Sequence, residues 1–174
     1  VYIYDVEAEE LTALTNDIYS DSEPAWNNDG SKLVFVSDRK DDVTGQNTPA
    51  AIVEHDYSQK DLYTIDLVSG NINRLTATEH NEDYPVWAHT EENTLFYVSD
   101  KDGVWNIYRH NLGTDPVAIT NILTGTFQLS LTNDDSYLVF AGYADMGWDV
   151  YSMSHPLERE AMEVPVTQYV MKQD

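Results

Sequence analysis

The sequence predicts an all-β fold, a β-propeller of four-stranded antiparallel blades with about three to four blades present as a fragment of a larger ring. Three observations lead there. A short alternating strand holding a tyrosine recurs as Val1-Tyr2-Ile3-Tyr4-Asp5, Leu62-Tyr63-Thr64-Ile65-Asp66, Ile107-Tyr108-Arg109-His110 and Val150-Tyr151-Ser152-Met153. The four tyrosines Tyr2, Tyr63, Tyr108 and Tyr151 stand 61, 45 and 43 residues apart, a period of about 44 with one insertion of about 17. Between them lie only short strands and polar turns, the pattern of one small sheet per repeat. Closing a ring of four to eight such blades takes roughly 175 to 350 residues. The chain has 174 and opens in mid-strand at Val1, so the remaining blades are expected from the same chain or from another subunit.

The modules follow in order. Residues 1–15 match only the last two strands of a blade. Residues 16–77 make a full blade, with Pro24-Ala25-Trp26 in the first strand, Lys32 to Ser37 as the second, Asp61 to Asp66 as the third and Asn73 to Thr76 as the fourth. The second strand is continuously apolar, which suits burial between two neighbouring blades. An insertion, residues 39–60, lies where the next blade needs only the stretch from Asp100 to Asn106. It is polar, carries Gly45 and Pro49, and includes one apolar patch, Ala50-Ala51-Ile52-Val53. Long loops cost little stability and often carry binding function.

Residues 78–121 form the clearest module. A polar lead-in, Glu79 to Asp83, precedes Tyr84-Pro85-Val86-Trp87, and a turn over residues 88–93 leads into Thr94 to Ser99. Asp100-Lys101-Asp102-Gly103 is a tight turn in which Gly103 can take positive φ. Trp105 to Asn111 and Pro116 to Thr120 complete the blade. Residues 122–167 repeat the order with Phe127 to Leu131, Tyr137 to Ala141, Trp148 to Met153 and, more loosely, Val164 to Thr167. Here the last turn is replaced by a stretch of helical composition, Leu157 to Met162. Residues 168–174 are an exit segment.

Thirty-one acidic residues against nine basic ones give a net charge of −22. That repels nucleic acid and anionic membrane, which need clustered Lys and Arg, and attracts cations or a basic partner. Cysteine is absent, so no disulfide framework or thiol site is expected. No apolar run approaches 18 residues, so this chain is not expected to insert directly into a membrane.

The run Ser22-Glu23-Pro24-Ala25-Trp26-Asn27-Asn28-Asp29-Gly30-Ser31-Lys32-Leu33-Val34-Phe35-Val36-Ser37-Asp38 resembles the TolB-type propeller repeat, also called the WD40-like PD40 repeat. That repeat runs from a Pro-x-Trp strand through an Asp-Gly turn, a Leu/Ile-x-Phe strand and Ser-Asp to an Ile-Tyr strand and a Leu-Thr ending. Asp83 to Asp100 follows it, with Thr90-Glu91-Glu92-Asn93 in place of Asp-Gly. Thr126 to Ala141 follows it with Leu131 for Trp and Asp134-Asp135 for Asp-Gly. Leu14-Thr15, Leu75-Thr76 and Ile119-Thr120 match the ending. The resemblance implies a bacterial propeller of the periplasm or cell surface that docks other proteins. Related propellers are joined to peptidase domains or to outer-membrane barrels.

No nucleophile elbow, His-Glu-x-x-His helix or phosphate-cradling Gly-Lys-Ser/Thr loop occurs, and no enzyme activity is assigned within this chain. The histidines His55, His80, His89, His110 and His155 lie in different modules, none paired at the spacing of a helical metal site. The best local cluster is His80-Asn81-Glu82-Asp83, ahead of a first strand and so near one mouth of the channel. Glu23 and Asp83 are read as equivalent positions there, a ring of carboxylates able to gather a divalent cation or a basic peptide. In the insertion, Glu54-His55-Asp56 could join Asp41-Asp42. No cofactor is predicted; calcium is the ion these carboxylates would suit. Asp100 to Gly103 opens like a calcium loop but lacks the distal ligands, and a hairpin explains it. Trp26 and Trp87 are expected in inter-blade packing, while Trp105 and Trp148 are expected partly exposed.

The expected function is therefore a non-catalytic scaffold that binds a protein or peptide partner through Glu23, His80, Glu82 and Asp83 or through Asp41, Asp42, Glu54, His55 and Asp56. The alternatives are an accessory propeller gating substrate for a multidomain peptidase and a propeller attached to an outer-membrane barrel.

Overall fold

A computed structural model describes residues 1–46, 53–168 and 171. The chain is a partial β-propeller of four antiparallel sheets. Sheet 1 pairs β1 (Tyr2–Asp5) with β2 (Glu10–Ala13). Sheet 2 runs β3 (Asp21–Trp26), β4 (Lys32–Ser37), β5 (Asp61–Asp66) and β6 (Ile72–Arg74). Sheet 3 runs β7 (Glu82–Trp87), β8 (Thr94–Ser99), β9 (Asn106–Asn111) and β10 (Val117–Ala118). Sheet 4 has β11 (Thr126–Leu131), β12 (Tyr137–Ala144) and β13 (Gly147–Ser154). The insertion patch over residues 50–52, Pro49 and most of the exit segment lie outside the described residues.

The apolar second strands are buried on both faces because each lies between two sheets. Alternate residues of β4 serve different seams. Leu33 and Phe35 pack with Tyr63, Ile65, Ile3 and Leu14 toward sheet 1. Val34 and Val36 pack with Trp87, Leu95, Tyr97 and Tyr108 toward sheet 3. Phe96 and Ile107 turn the other way, onto Leu138 and Phe140 of sheet 4. The period-two geometry of a strand thus builds two cores from one stretch of sequence.

Three devices repeat from sheet to sheet. A threonine two residues past the fourth strand accepts the amide of the second residue of the third strand: Leu62 N–H to Thr76 Oγ1 at 2.9 Å and Ile107 N–H to Thr120 Oγ1 at 2.8 Å, with Val1 N on Thr15 Oγ1 in sheet 1. The aspartate of the Ser-Asp pair holds the segment before the first strand, Asp38 Oδ1 receiving Ser20 N–H at 3.0 Å and Asp100 Oδ1 receiving Asn81 N–H at 2.8 Å. A backbone peg joins successive sheets, Glu82 N–H to Lys60 O at 3.1 Å and Thr126 N–H to Trp105 O at 2.9 Å.

Two expectations at the C-terminal side are corrected. Within the stretch from Pro156 to Met162 only Pro156–Glu158 is helical, as a single 3₁₀ turn, because Arg109 Nη1 takes the carbonyls of Leu157 and Arg159 that a longer helix would need. The segment from Val164 to Thr167 does not pair with β13. It is drawn back along sheet 3, with Met162 N–H on Ala118 O at 2.8 Å, Thr167 N–H on Asp102 O at 3.0 Å and Val164 against the core between sheets 2 and 3.

Candidate functional site

Antiparallel pairing sets Asp21 opposite Ser37 and Ser37 opposite Asp61 in sheet 2, and Glu82 opposite Ser99 and Ser99 opposite Asn106 in sheet 3. These positions mark one end of the propeller. All nine predicted contact residues fall at this end of sheets 2 and 3, the insertion included.

On the inner strands the pairing keeps the Pro-x-Trp alignment of the sequence and corrects the reading of Glu23 and Asp83 as equivalent positions. Each first strand carries a bulge at its third position, where a non-glycine residue takes the left-handed conformation: Glu23 (φ 53°), Tyr84 (φ 57°) and Gln128 (φ 58°). Such residues are uncommon outside bulges and strained sites. Glu23 is therefore equivalent to Tyr84, and Asp83 to Ser22, so the two acids are not corresponding members of a carboxylate ring. They are nonetheless neighbours. Glu23 Oε2 receives the Tyr84 N–H at 2.5 Å, and Lys60 Nζ lies 3.5 Å from Asp83 Oδ1. Burial raises both carboxyls above the usual range; the Asp83 charge adds to this at Glu23, and Lys60 opposes it at both.

Glu82 sits inside the seam rather than on the accessible end, so it is removed from the predicted contact set. Its Oε1 receives Thr78 Oγ1 at 2.9 Å and Ser99 Oγ at 3.2 Å, while Oε2 has no partner. Burial pushes its carboxyl up to about 7, against hydrogen bonds from Thr76 and Thr78 and with help from the Asp61 charge. In sheet 2 the same position is Asp21, which receives Arg39 Nη2 at 2.6 Å. Burial would raise Asp21 too, but bonds from Arg39, Thr15 and Ser37 and the guanidinium charge bring it below the usual value. Arg39, expected in a polar insertion, is fully buried. It also bonds Asp17 at 3.0 Å and Ser37 at 3.0 Å, and packs among the rings of Tyr19, Phe35 and Tyr63.

The acids of the insertion disperse. Asp41 pairs with Arg74 at 2.5 Å, and Arg74 reaches Asp61 at 2.6 Å. Asp42 receives the Tyr19 hydroxyl at 2.8 Å. Asp56 receives Ser58 and lies 3.5 Å from Lys40. His55 stands edge-on between Tyr19 and Tyr57, its Nε2 3.4 Å from Asp38. Glu54 is exposed, and His80 is half-buried in the loop before β7. Among the described residues no three His, Asp or Glu side chains converge as a metal site. Asp100 is occupied by Asn81, and Gly103 N–H closes the turn on Asp100 O at 2.7 Å, so that segment is a hairpin.

Aromatic residues gather on the sheet 4 side. Phe127 contacts Tyr84, Trp105 and Trp148, and Trp148 meets Tyr143. Position by position, the Trp105–Phe127 contact replaces the Lys60–Asp83 ion pair of the preceding seam. Trp87 packs between sheets as expected at 5% exposure, but Trp26 is 49% exposed, because sheet 1 has only β1 and β2 and neither covers it.

No family model matches the chain, and no curated protein does. Solved structures do. A TolB structure from Agrobacterium tumefaciens superposes with a TM-score of 0.64 at 21% identity over 82% of this chain and 48% of that one. TolB from Acinetobacter baumannii gives 0.66 at 14% identity over 88% of this chain and 34% of that one. The fold is that of a TolB-like propeller. The chain spans less than half the length of either TolB structure. A puromycin-hydrolysing peptidase from Mycobacterium tuberculosis gives 0.57 at 20% identity over 92% of this chain and 24% of that one. At these identities the likeness is one of fold.

Proposed function

We propose that this TolB-like propeller is a non-catalytic docking module of a larger protein outside the cytoplasm, and that its acidic end receives a basic protein or peptide segment. The observation that supports it most directly is the pair Glu23 and Asp83, two half-buried carboxylates on adjacent inner strands beside which Lys60 is the one cation among the described residues. Carboxylates held in that state gain most from a partner that brings positive charge and excludes water. The net charge of −22 would speed encounter with such a partner. The extracytoplasmic location follows the resemblance to the TolB repeat. A second reading, an accessory propeller beside a peptidase domain, is supported by the likeness to the puromycin-hydrolysing peptidase.

Selection of random displayed peptides on the immobilised protein tests the docking role. Recovered sequences should be rich in Lys and Arg. They should bind the double variant Glu23→Gln, Asp83→Asn about tenfold more weakly, with affinity falling as salt rises. Equal affinity for both proteins would exclude the Glu23–Asp83 end as the docking site.

A further inference from the structure

Sheets 2 and 3 state what a fourth strand needs in this repeat, and sheet 4 meets the need on only one side. In sheet 2, Thr76 Oγ1 receives Leu62 N–H at 2.9 Å and lies 3.3 Å from Asp61, and Arg74 crosses to Asp61 at 2.6 Å. In sheet 3, Thr120 does the same for Ile107 and bonds Asn106 at 2.9 Å. There the residue in Arg74's register place is Ala118, opposite Tyr108 as Arg74 is opposite Tyr63. An acidic third-strand residue thus goes with a basic fourth-strand residue, and a neutral one with a neutral one.

In sheet 4 the corresponding third-strand positions are Asp149, Val150 and Tyr151, opposite Gly142, Ala141 and Phe140. Among the described residues sheet 4 has no fourth strand, and no side chain bonds the Val150 N–H or the Asp149 carboxylate; Val150 is 78% exposed. An open groove of about 660 Å³ runs beside this edge, lined by Phe140, Tyr151, Met153, Met162, Glu163 and Arg159, whose guanidinium is turned onto the Ser154 carbonyl. The chain's own next segment does not suit the edge. Val166-Thr167 would match Leu-Thr, but Pro165 would fall where Arg74 stands, with neither charge nor N–H. That segment is instead tied to sheet 3.

We propose that the free edge of β13 receives an extended basic segment of a partner protein, of the pattern Arg/Lys–Leu/Ile–Thr, added antiparallel as the fourth strand of sheet 4. Backbone bonds along β13 supply affinity. The threonine accepts Val150 N–H, and the basic side chain, opposite Tyr151 as Arg74 is opposite Tyr63, crosses to Asp149. This adds a second address, on sheet 4, to the docking role proposed above, and rests on it.

The probe is a blocked heptapeptide with the sequence of residues 71–77, Asn-Ile-Asn-Arg-Leu-Thr-Ala, and a twin with Glu for Arg. Titration followed by amide chemical shifts and hydrogen exchange should place the Arg peptide on β13, with Val150 and Ser152 amides newly protected. Asp149→Arg should weaken the Arg peptide about tenfold and restore binding to the Glu peptide. Asp149 is exposed, so this variant should keep the native circular dichroism spectrum. Absence of saturation at about 1 mM, shifts away from β13, or indifference to Asp149→Arg would overturn the proposal. If basic displayed peptides still require Glu23 and Asp83 while the heptapeptide ignores β13, the docking role stands and the edge assignment falls.

Discussion

One repeat position shows how a single partner decides the ionisation of a buried acid. Asp21 and Glu82 open equivalent strands, both desolvated, yet Asp21 falls below its ordinary value and Glu82 rises to about 7. Arg39 makes the difference; its counterpart in sheet 3, Lys101, is exposed. The groups facing Glu82 are Thr76, Thr78, Ser99 and the Asp61 carboxylate, with Tyr97 and Tyr108 close enough to feel its charge. A carboxyl whose folded value lies above its unfolded one favours the fold while protonated. Its contribution is complete below the unfolded value and is lost as pH rises through the folded value. Unfolding free energy should therefore decline between about pH 4.5 and pH 7, by about 3 kcal/mol from this group. Glu82→Gln should flatten that decline in urea titrations across the same range. A decline of equal size in the variant would assign it elsewhere. Nothing in the run His80-Asn81-Glu82-Asp83 marks its third member as interior, since burial here follows from the seam between two sheets and not from local composition.

At the scale of the element, strand boundaries were legible where hydrophobic alternation was strong. Lys32–Ser37 and Asp61–Asp66 match their predicted limits, because a second or third strand must be apolar on both faces. The bulges themselves were not legible. A bulge adds a residue to one strand, and Glu23, Tyr84 and Gln128 share no side-chain chemistry that announces a left-handed backbone. Arg39 and Arg109 were also missed, because a lone arginine after a strand or on one reads as solvated until its partners are known. The recurrent Leu-Thr ending was visible as pattern alone; its use became clear only in the hydrogen bond from its hydroxyl to the third strand. Thr76→Val and Thr120→Val should each cost about 1–3 kcal/mol by orphaning a buried amide. Thr76→Val should cost more, since the Thr76 hydroxyl also meets the charged Asp61 where Thr120 meets the neutral Asn106. Chemical denaturation of the two variants measures the ranking, and a cost below about 0.5 kcal/mol would show that water replaces the hydroxyl.

Across the whole molecule, protection is greatest in the middle. The recurrent tyrosine is 0% exposed in sheet 2 and 3% in sheet 3, but 63% in sheet 1 and 39% in sheet 4. Amide exchange should follow the same order: slowest for Val36, Leu62, Phe96 and Ile107, fastest in β1, β2 and β13. Uniform protection across all four sheets would mean that the outer faces are covered in solution. The insertion follows a different logic. It leaves the scaffold immediately after Asp38, which holds Ser20, and returns at Lys60, whose carbonyl receives Glu82. Both attachment points belong to devices that sheet 3 repeats without any insertion. The length of this segment is thereby uncoupled from the angle between blades. Beyond Arg39, Asp41 and Asp42, which are tied into the scaffold, its contents could be exchanged without re-solving the problem of folding.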